Sequence, residues 1–212
     1  GRLFGTPQAS DLGTHSFTIR VIDNVNSANA TNKDFTVSVV NGVWMEDFTN
    51  GLPSGWSLSG GVWQVGVPTY TSGPSSCPSA PNCAGTNLSG PYNVNMAWDA
   101  HCITTGAISL AGLQMATLSF LSWWDTETGF DGGRVQVYSN GAWGNPPTVT
   151  PTYNKTLGLQ DCWAYNDKMW KEHTVDLTPY AGQTIQLRFC FYSDGSVQYA
   201  GWYIDDLMIL GN

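Results

Sequence analysis

The feature of this sequence that most limits its fold is a series of short segments in which apolar and polar residues alternate. Alternation with a period of two is the pattern of a β-strand, because successive side chains point to opposite faces. Eight such segments follow residue 43: Trp44–Phe48, Gly61–Val65, Ala107–Leu110, Ala116–Trp124, Gly133–Ser139, Trp170–Leu177, Thr184–Tyr192 and Gly201–Ile209. No convincing helix appears among them. The pattern predicts an all-β, antiparallel jelly-roll sandwich.

Turn dipeptides support this reading of the strands. Asp131-Gly132, Asn140-Gly141 and Asp194-Gly195 each adjoin an alternating segment. Hairpin turns need residues that tolerate a positive φ, and Asp, Asn and Gly are the residue types that do so.

The composition indicates an extracellular β protein. Only 11% of the 212 residues are charged, against about 25% in an average soluble domain, while the chain has 10 Trp, 9 Tyr and 8 Phe. The net charge of −8 disfavours nucleic acid and anionic membranes as partners and favours cations. No run of about 18 apolar residues and no signal-peptide pattern occur, so we expect a soluble segment of a longer precursor, without membrane insertion.

The first forty residues form a separate unit of the pattern. Two alternating runs predict a hairpin: Phe17, Ile19 and Val21, then Phe35, Val37 and Val39. The segment resembles the C-terminal part of bacterial immunoglobulin-like repeats. The matching residues are Gly5, Thr6, Pro7, Gly13, Thr14 and Val21 to Asp23. A whole sandwich of that type needs about 100 residues. We therefore expect a partial immunoglobulin-like β segment over residues 1–42 and a jelly-roll domain over residues 43–212.

Five cysteines are present. Cys77 and Cys83 lie close together in a Pro/Ser/Asn-rich stretch, a spacing that predicts a small disulfide-closed loop in an oxidising compartment. Pairing among Cys102, Cys162 and Cys190 is left open. Metal binding by the cysteines is the weaker interpretation, because no CxxC pair and no His at zinc-ligand spacing accompany them.

The larger domain resembles the MAM-like jelly-roll modules that are appended to secreted bacterial proteases of the immune-inhibitor-A type. The first half of the match comprises Glu46-Asp47-Phe48, Leu52 to Trp56, Trp63 to Gly66, Gly85 to Leu88 and Ala116 to Phe120. The second half comprises Asp125 to Glu127, Phe130 to Val135, Val175 to Leu177, Tyr180 to Gln183, Leu187 to Phe189 and Gly201 to Asp206. The chain departs from the pattern by carrying Cys77, Cys83, Cys102 and Cys162.

This resemblance implies a non-catalytic accessory module with a structural calcium ion and a layout similar to that of carbohydrate-binding jelly rolls. It also implies that the first and last strands lie together, which would bring Glu46 and Asp47 close to Asp205 and Asp206. In an alternating strand one of these last two carboxylates must be partly buried, and a buried carboxylate requires a partner. Hard oxygen ligands select calcium. The alternative is a carboxylate that only accepts backbone N–H bonds at the end of a sheet.

A second acidic group lies in one predicted turn. Asp125, Glu127 and Asp131 do not match an EF-hand, because Phe130 replaces the glycine at its sixth position. We interpret Asp125 and Glu127 as residues of a solvated hairpin tip. Asp131 is either a further cation ligand or a hydrogen-bond acceptor for Arg134. Hydrolysis by the three carboxylates is a distant third hypothesis.

Other catalytic motifs are absent from the sequence. It contains neither GxSxG nor HExxH, and its three histidines have unrelated sequence contexts. His173 lies in an alternating strand, which predicts a packed histidine.

Aromatic residues are the remaining candidates for ligand binding. Trp63, Trp124, Trp202, Phe120, Phe189 and Phe191 fall on strands and are expected in the core. Trp143, Trp163, Tyr165 and Tyr199 fall in predicted loops, where an exposed ring can stack on a sugar or a peptide. The alternative, which we favour, is that they close the ends of the β core.

The sequence thus predicts a non-catalytic, calcium-stabilised accessory or adhesion module of a secreted or cell-surface bacterial protein, such as the C-terminal part of a protease precursor. Its expected partners are a protein or glycan ligand and the other domains of the parent protein. A lectin-like carbohydrate-binding module is the alternative.

Overall fold

The computed structural model describes residues 13–23, 29–39 and 41–212. In these ranges the chain has no α-helix, and a 3₁₀ turn at Thr178–Tyr180 precedes the penultimate strand. The strands, in chain order, are β1 (Gly13–Ile22), β2 (Ala30–Val39), β3 (Asn41–Glu46), β4 (Ser57–Leu58), β5 (Trp63–Gly66), β6 (Cys83–Thr86), β7 (Cys102–Thr104), β8 (Ile108–Ser109), β9 (Ala116–Asp125), β10 (Gly132–Ser139), β11 (Ala142–Gly144), β12 (Val149–Thr150), β13 (Lys155–Leu157), β14 (Gln160–Cys162), β15 (Lys171–Asp176), β16 (Thr184–Tyr192) and β17 (Gly201–Gly211). The predicted all-β fold class is confirmed.

The chain divides into two compact units, Gly1–Asn41 with Asn212, and Gly42–Gly211. Within the first unit, β1 and β2 form the antiparallel hairpin, in which Phe17 pairs with Phe35 and the two rings stack at 5.5 Å. Of the residues that resemble an immunoglobulin-like repeat, Gly5, Thr6 and Pro7 lie outside the described residues. The assignment of this unit to such a repeat stays a prediction.

The second unit is a sandwich of two antiparallel sheets. One sheet has the order β11-β10-β16-β7-β4, with β8 paired to β16, and we call it sheet I. The other has the order β12-β15-β9-β17-β6-β5, with β3 paired to β17, and we call it sheet II. Each of the eight predicted strands of this domain corresponds to an observed one. The strands that the pattern did not reveal have only two to four residues, too few to show an alternation.

The core between the sheets is dominated by aromatic side chains. Trp63, Trp124, Trp163 and Trp202 are at most 2% exposed, and the rings of Trp124 and Trp202 stack at 4.5 Å. Aromatic pairs of this kind stabilise a core beyond their burial alone. Large rings need small residues opposite them: a Cβ at Gly133 of β10 would lie 2.3 Å from Trp202.

The outer face of sheet II is covered by a smaller apolar cluster. Trp123 and Tyr203 pack there against the Cys77–Cys83 disulfide, which confirms the predicted pairing of these two cysteines. A second disulfide joins Cys102 of β7 to Cys190 of β16, which face each other in sheet I. Within the described residues, no helix has the length and hydrophobicity needed to cross a membrane.

Candidate functional site

The acidic residues of the first and last strands line one cleft. β3 pairs with β17, and Glu46, Asp47 and Asp206 contribute to a cleft of about 240 Å³ together with Ser79 and three apolar residues. No ion pair joins any of these three carboxylates to a basic side chain of residues 13–23, 29–39 and 41–212. The cleft therefore presents negative charge that no described basic side chain offsets.

Asp205 is fully buried next to this cleft. A bulge interrupts the pairing of β17 with β9 after Asp205, and the next residue, Asp206, takes a left-handed φ of 51°. The two oxygens of Asp205 accept the backbone N–H groups of Ser79 and Asp206, each at 2.9 Å. Burial raises the pKa of Asp205 to about 7. Backbone hydrogen bonds, the alternative considered from the sequence, thus satisfy this carboxylate.

Glu46 and Asp47 also accept backbone hydrogen bonds. Glu46 Oε1 accepts from Phe48 N at 2.7 Å, and Asp47 Oδ1 accepts from Thr49 N at 2.9 Å. Burial raises the pKa of Glu46, whereas the hydrogen bond from Thr49 lowers that of Asp47. The predicted assignment of Glu46, Asp47, Asp205 and Asp206 as metal ligands stays a prediction.

The described part of the chain brings three carboxylates close together at a different place. Glu127, Asp131 and Asp194 each offer an oxygen, and these oxygens lie within 4.8 Å of one another. Glu127 follows β9 of sheet II, whereas Asp131 precedes β10 and Asp194 follows β16 of sheet I. We call these three residues the acidic triplet. It joins loops from both sheets at one end of the sandwich.

Asp131 is the buried centre of the acidic triplet. Its Oδ2 accepts a hydrogen bond from the hydroxyl of Tyr92, and its Oδ1 accepts from Asp194 N at 2.9 Å. Burial raises the pKa of Asp131 to about 6, and the charges of Asp194 and Glu127 act in the same direction. Two hydrogen bonds therefore hold this carboxylate in place but do not fully offset the cost of its charge.

Glu127 contributes an oxygen without a partner. Its Oε2 is buried and has no hydrogen-bond partner among the described residues. A buried polar oxygen without a partner costs free energy, typically about 1–3 kcal/mol and more for a charged group. A cation held between Glu127 and Asp131 would satisfy it.

The structure corrects several expectations for this region. Asp125 is not part of a solvated tip: it is 3% exposed, and its Oδ2 lies 3.1 Å from Lys168 Nζ. Arg134 does not pair with Asp131, because it contacts Asp99. Asp194 is the member of the acidic triplet that the sequence pattern did not reveal. Its only signal was the Asp194-Gly195 dipeptide, which fits an ordinary turn equally well.

The predicted aromatic ligand residues separate into different environments. Trp163 is fully buried, and its Nε1 donates to Pro151 O at 2.7 Å, so it is not a surface binding residue. Its backbone forms a β-bridge with Gly133, which draws the ring into the core. Tyr165 is half-buried and packs against the core. Tyr199 is 42% exposed, and Trp143 lies half-buried against Arg188.

Cys162 and His173 are buried, and neither is suited to chemistry. Burial raises the pKa of the free Cys162 thiol to about 12, which keeps it protonated and unreactive. His173 is 2% exposed and lies among Phe120, Trp163 and Tyr165. Burial lowers the pKa of His173 to about 4.

The buried His173 makes the domain sensitive to acid. Its lowered pKa means that the unfolded state takes up a proton below about pH 6.5, whereas the folded state resists protonation until about pH 4. The contribution of the neutral His173 to the stability of the folded state is therefore complete above pH 6.5 and is lost as the pH falls towards 4. We expect His173→Phe to remove this pH dependence. Between pH 7 and 4.5 the free energy of unfolding should then fall by roughly 2–3 kcal/mol more for the wild type than for the variant.

Urea unfolding at the two pH values, in chelator, measures this difference. Lys171 and Asp167 carry the charges that act on His173, and both are retained in the variant. Equal losses of stability for the two proteins would contradict the burial of a neutral histidine.

Comparison with known proteins shows where related sequences occur. The family described as "Immune inhibitor A-like, MAM domain" matches residues 93–212, more than half of the chain. Bacillopeptidase F of Bacillus subtilis (strain 168) is 32% identical over an alignment of 174 residues that covers 78% of this chain and 10% of that protein. Pre-pro-metalloprotease PrtV of Vibrio cholerae serotype O1 (strain M66-2) is 33% identical over 99 residues, 47% of this chain and 10% of that protein. The chain thus spans about a tenth of these relatives.

A solved structure shares the fold. The K1 cleaved adhesin domain of Lys-gingipain from Porphyromonas gingivalis W83 superposes with a TM-score of 0.50 and 19% sequence identity. The superposition covers 80% of this chain and 98% of that domain. At this identity the likeness shows the β-sandwich fold alone.

Proposed function

This chain belongs to the immune inhibitor A-like MAM domain family, and from that premise we propose that it is a calcium-stabilised accessory module of a secreted or cell-surface bacterial protein. The family is a non-catalytic one, so this segment is a binding module and not an enzyme. The names of the two relatives, a bacillopeptidase and a metalloprotease, support a protease as the parent protein. Its partners would be the other domains of that parent and a protein or glycan ligand at its surface.

The acidic triplet carries the calcium part of the proposal. Glu127, Asp131 and Asp194 offer only hard oxygen donors, which calcium prefers and which zinc and copper do not. The unpartnered Oε2 of Glu127 gives the ion an oxygen that nothing else satisfies. Calcium takes six to eight oxygens, so backbone carbonyls and water would complete its shell. A bound ion would offset the mutual repulsion of the carboxylates and hold the loops of the two sheets together.

The cleft lined by Glu46, Asp47 and Asp206 is our proposed second cation site. Its support is the negative charge that no described basic side chain offsets. The buried Asp205 carboxyl group lies beside the cleft and also has no basic partner among the described residues. Both oxygens of Asp205 already accept backbone hydrogen bonds, so we propose that it supports the backbone beside the cleft and that the other three carboxylates bind the cation.

Calcium titration by calorimetry tests the proposal. Chelator-treated wild type is expected to bind calcium. Asp131→Asn is expected to raise the dissociation constant of one bound ion by at least about tenfold, because a charged ligand becomes neutral. Glu127→Gln is a second variant at the half-buried edge of the triplet. The control is Asp161→Asn, an exposed aspartate on the β13–β14 hairpin, and it should bind as the wild type does.

Two outcomes would contradict this assignment. Wild type that takes up no calcium would remove the structural role of the ion. Full binding by both Asp131→Asn and Glu127→Gln would place the ion elsewhere.

A further inference from the structure

The outer face of sheet I carries a cluster of charged and aromatic side chains that the calcium sites do not involve. Because β10 and β16 pair directly, Gln136 lies opposite Arg188, and Arg134 lies opposite Cys190. Side chains of these strands alternate, and their neighbours Val135, Leu187 and Phe189 are buried in the core. The arginines therefore extend from the opposite face of the sheet.

Arg134 is almost completely buried, and its neighbours hold its side chain in place. It is 2% exposed, its Nη2 donates to Asp99 Oδ1 at 2.7 Å, and its Nη1 donates to Gln160. Its guanidinium lies 4.9 Å from the ring of Trp98, which stacks in turn on Tyr192. The Nε of Arg134 is buried and has no hydrogen-bond partner among the described residues. This guanidinium is thus held in place without all its donors being satisfied.

Arg188 stands beside it and is closer to solvent. Its side chain is 13% exposed, its Nη2 lies 3.0 Å from the same Asp99 oxygen, and its Nε donates to Gln136 at 2.8 Å. The guanidinium lies 4.4 Å from the ring of Trp143. Trp143 also packs against Tyr138, the next outward residue of β10. Trp98 and Trp143 therefore flank the two arginines, and we call this surface the arginine–tryptophan face.

The charges of this face are not balanced. Asp99 is the one carboxylate that pairs with either arginine among the described residues, and both arginines use the same oxygen of it. Two guanidinium groups thus share one carboxylate, although the net charge of the chain is −8. Burial and the charge of Arg134 both lower the pKa of Arg188, so an added anion would stabilise its charged form. The face has the charge to attract an anionic ligand.

The remaining groups favour a sugar over a peptide as that ligand. Flat aromatic rings flanking polar groups suit the stacking of sugar rings. The exposed amide of Asn145, whose Oδ1 accepts a hydrogen bond from Gln136 Nε2 at 3.3 Å, supplies donors for hydroxyl groups. The exposed Leu159 lies at the edge of this face, since Gln160 beside it bonds to Arg134 and Leu157 O accepts from Trp98 Nε1. A peptide ligand is therefore the alternative that a poly-glutamate comparison tests.

We propose that the arginine–tryptophan face binds an acidic glycan, with a uronate carboxylate on Arg188 and an adjoining sugar ring on Trp143. The N–H groups of a planar guanidinium can donate two parallel hydrogen bonds to a carboxylate. Arg188 therefore recognises the acid group by its geometry as well as by its charge. Arg134 is a positioning residue: it holds Asp99 and keeps the centre of the face positive. This inference rests on the proposed binding function and names the ligand class for it.

Binding of a uronate oligosaccharide by the whole chain tests the inference. The probe is oligogalacturonate in calcium-containing buffer, measured by calorimetry at low and high salt. The fully methyl-esterified oligosaccharide of the same length and a poly-glutamate peptide of the same charge are the comparison ligands. We expect binding of the uronate oligosaccharide that weakens with salt, and at least about tenfold weaker binding of both comparison ligands.

Three variants locate the site. Arg188→Lys keeps the charge but loses the fork, and Trp143→Ala removes the ring; each should weaken oligogalacturonate binding by about tenfold or more. Lys171→Gln, which removes an exposed cation of β15 in sheet II, should change it by less than about twofold. The calcium titration of each variant shows that the domain is folded and that the proposed function still holds.

Three results would overturn the inference. The first is no binding of oligogalacturonate by wild type that still binds calcium, which would remove the ligand class and leave the calcium-stabilised module intact. The second is equal binding of the ester or of poly-glutamate. The third is unchanged binding by both Arg188→Lys and Trp143→Ala.

Discussion

Replacement of both Cys102 and Cys190 by alanine is expected to lower the free energy of unfolding by about 4–5 kcal/mol. The disulfide joins two paired strands of sheet I across a sequence separation of 88 residues. In the chain-entropy description, a cross-link that closes a long loop removes many conformations from the unfolded state. Such a loss is a large part of the 5–15 kcal/mol that typically stabilises a domain. Urea unfolding of the double variant measures it.

The second disulfide supplies a matched control within the same chain. Cys77 and Cys83 are separated by 6 residues, and both pairs of cysteines are buried. The same description predicts a loss of only about 2–3 kcal/mol for Cys77→Ala with Cys83→Ala. Equal losses for the two double variants would show that local packing, and not loop closure, determines the contribution of Cys102–Cys190.

Much of the fold follows from sequence periodicity. The predicted Thr184–Tyr192 strand coincides with β16, and Ala116–Trp124 and Gly133–Ser139 differ from β9 and β10 by a single residue at one end. Strands of this length show alternation clearly. β6 and β7 escaped prediction because strands of three or four residues that are buried on both faces show no alternation.

Residues that depend on contacts far along the chain were harder to place. Trp163 occupies a loop-like stretch of sequence, but its backbone bridge to Gly133 brings it into the core. Gly133 was predicted to begin a strand, but the sequence did not show that it leaves space for the ring of Trp202. The sequence does not show which ring lies opposite which glycine, because that depends on the packing of one sheet on the other.

The candidate sites also depend on contacts between residues that are far apart in the sequence. Glu127 and Asp131 are four residues apart and were visible as a pair, but Asp194 is 63 residues beyond Asp131. It joins them because β10 and β16 pair from Gly132 and Tyr192 onward. A hydrogen bond from Arg134 to the nearby Asp131 was one of two alternatives from the sequence, yet the partner of Arg134 is Asp99, 35 residues earlier. The cross-strand register, which periodicity does not determine, decides both cases.

Calcium is expected to raise the free energy of unfolding of the wild type by about 4 kcal/mol when its concentration is 1,000 times the dissociation constant. The reason is mass action, since the acidic triplet exists only in the folded state. Glu127→Gln should lose at least about 1.4 kcal/mol of this gain, which is the effect of a tenfold weaker ion. In chelator the same variant should be at least as stable as the wild type, because it removes one charge from a repulsive cluster.

The measurement that tests the calcium-stabilised module most directly is therefore urea unfolding with and without calcium for wild type, Glu127→Gln and Glu172→Gln. Glu172 is an exposed glutamate of β15 that accepts a hydrogen bond from Ser119, so its variant is the control. We predict the same calcium-dependent gain in the free energy of unfolding for the wild type and the control, and a gain smaller by at least about 1.4 kcal/mol for Glu127→Gln. Identical unfolding curves of the wild type in calcium and in chelator would contradict the account.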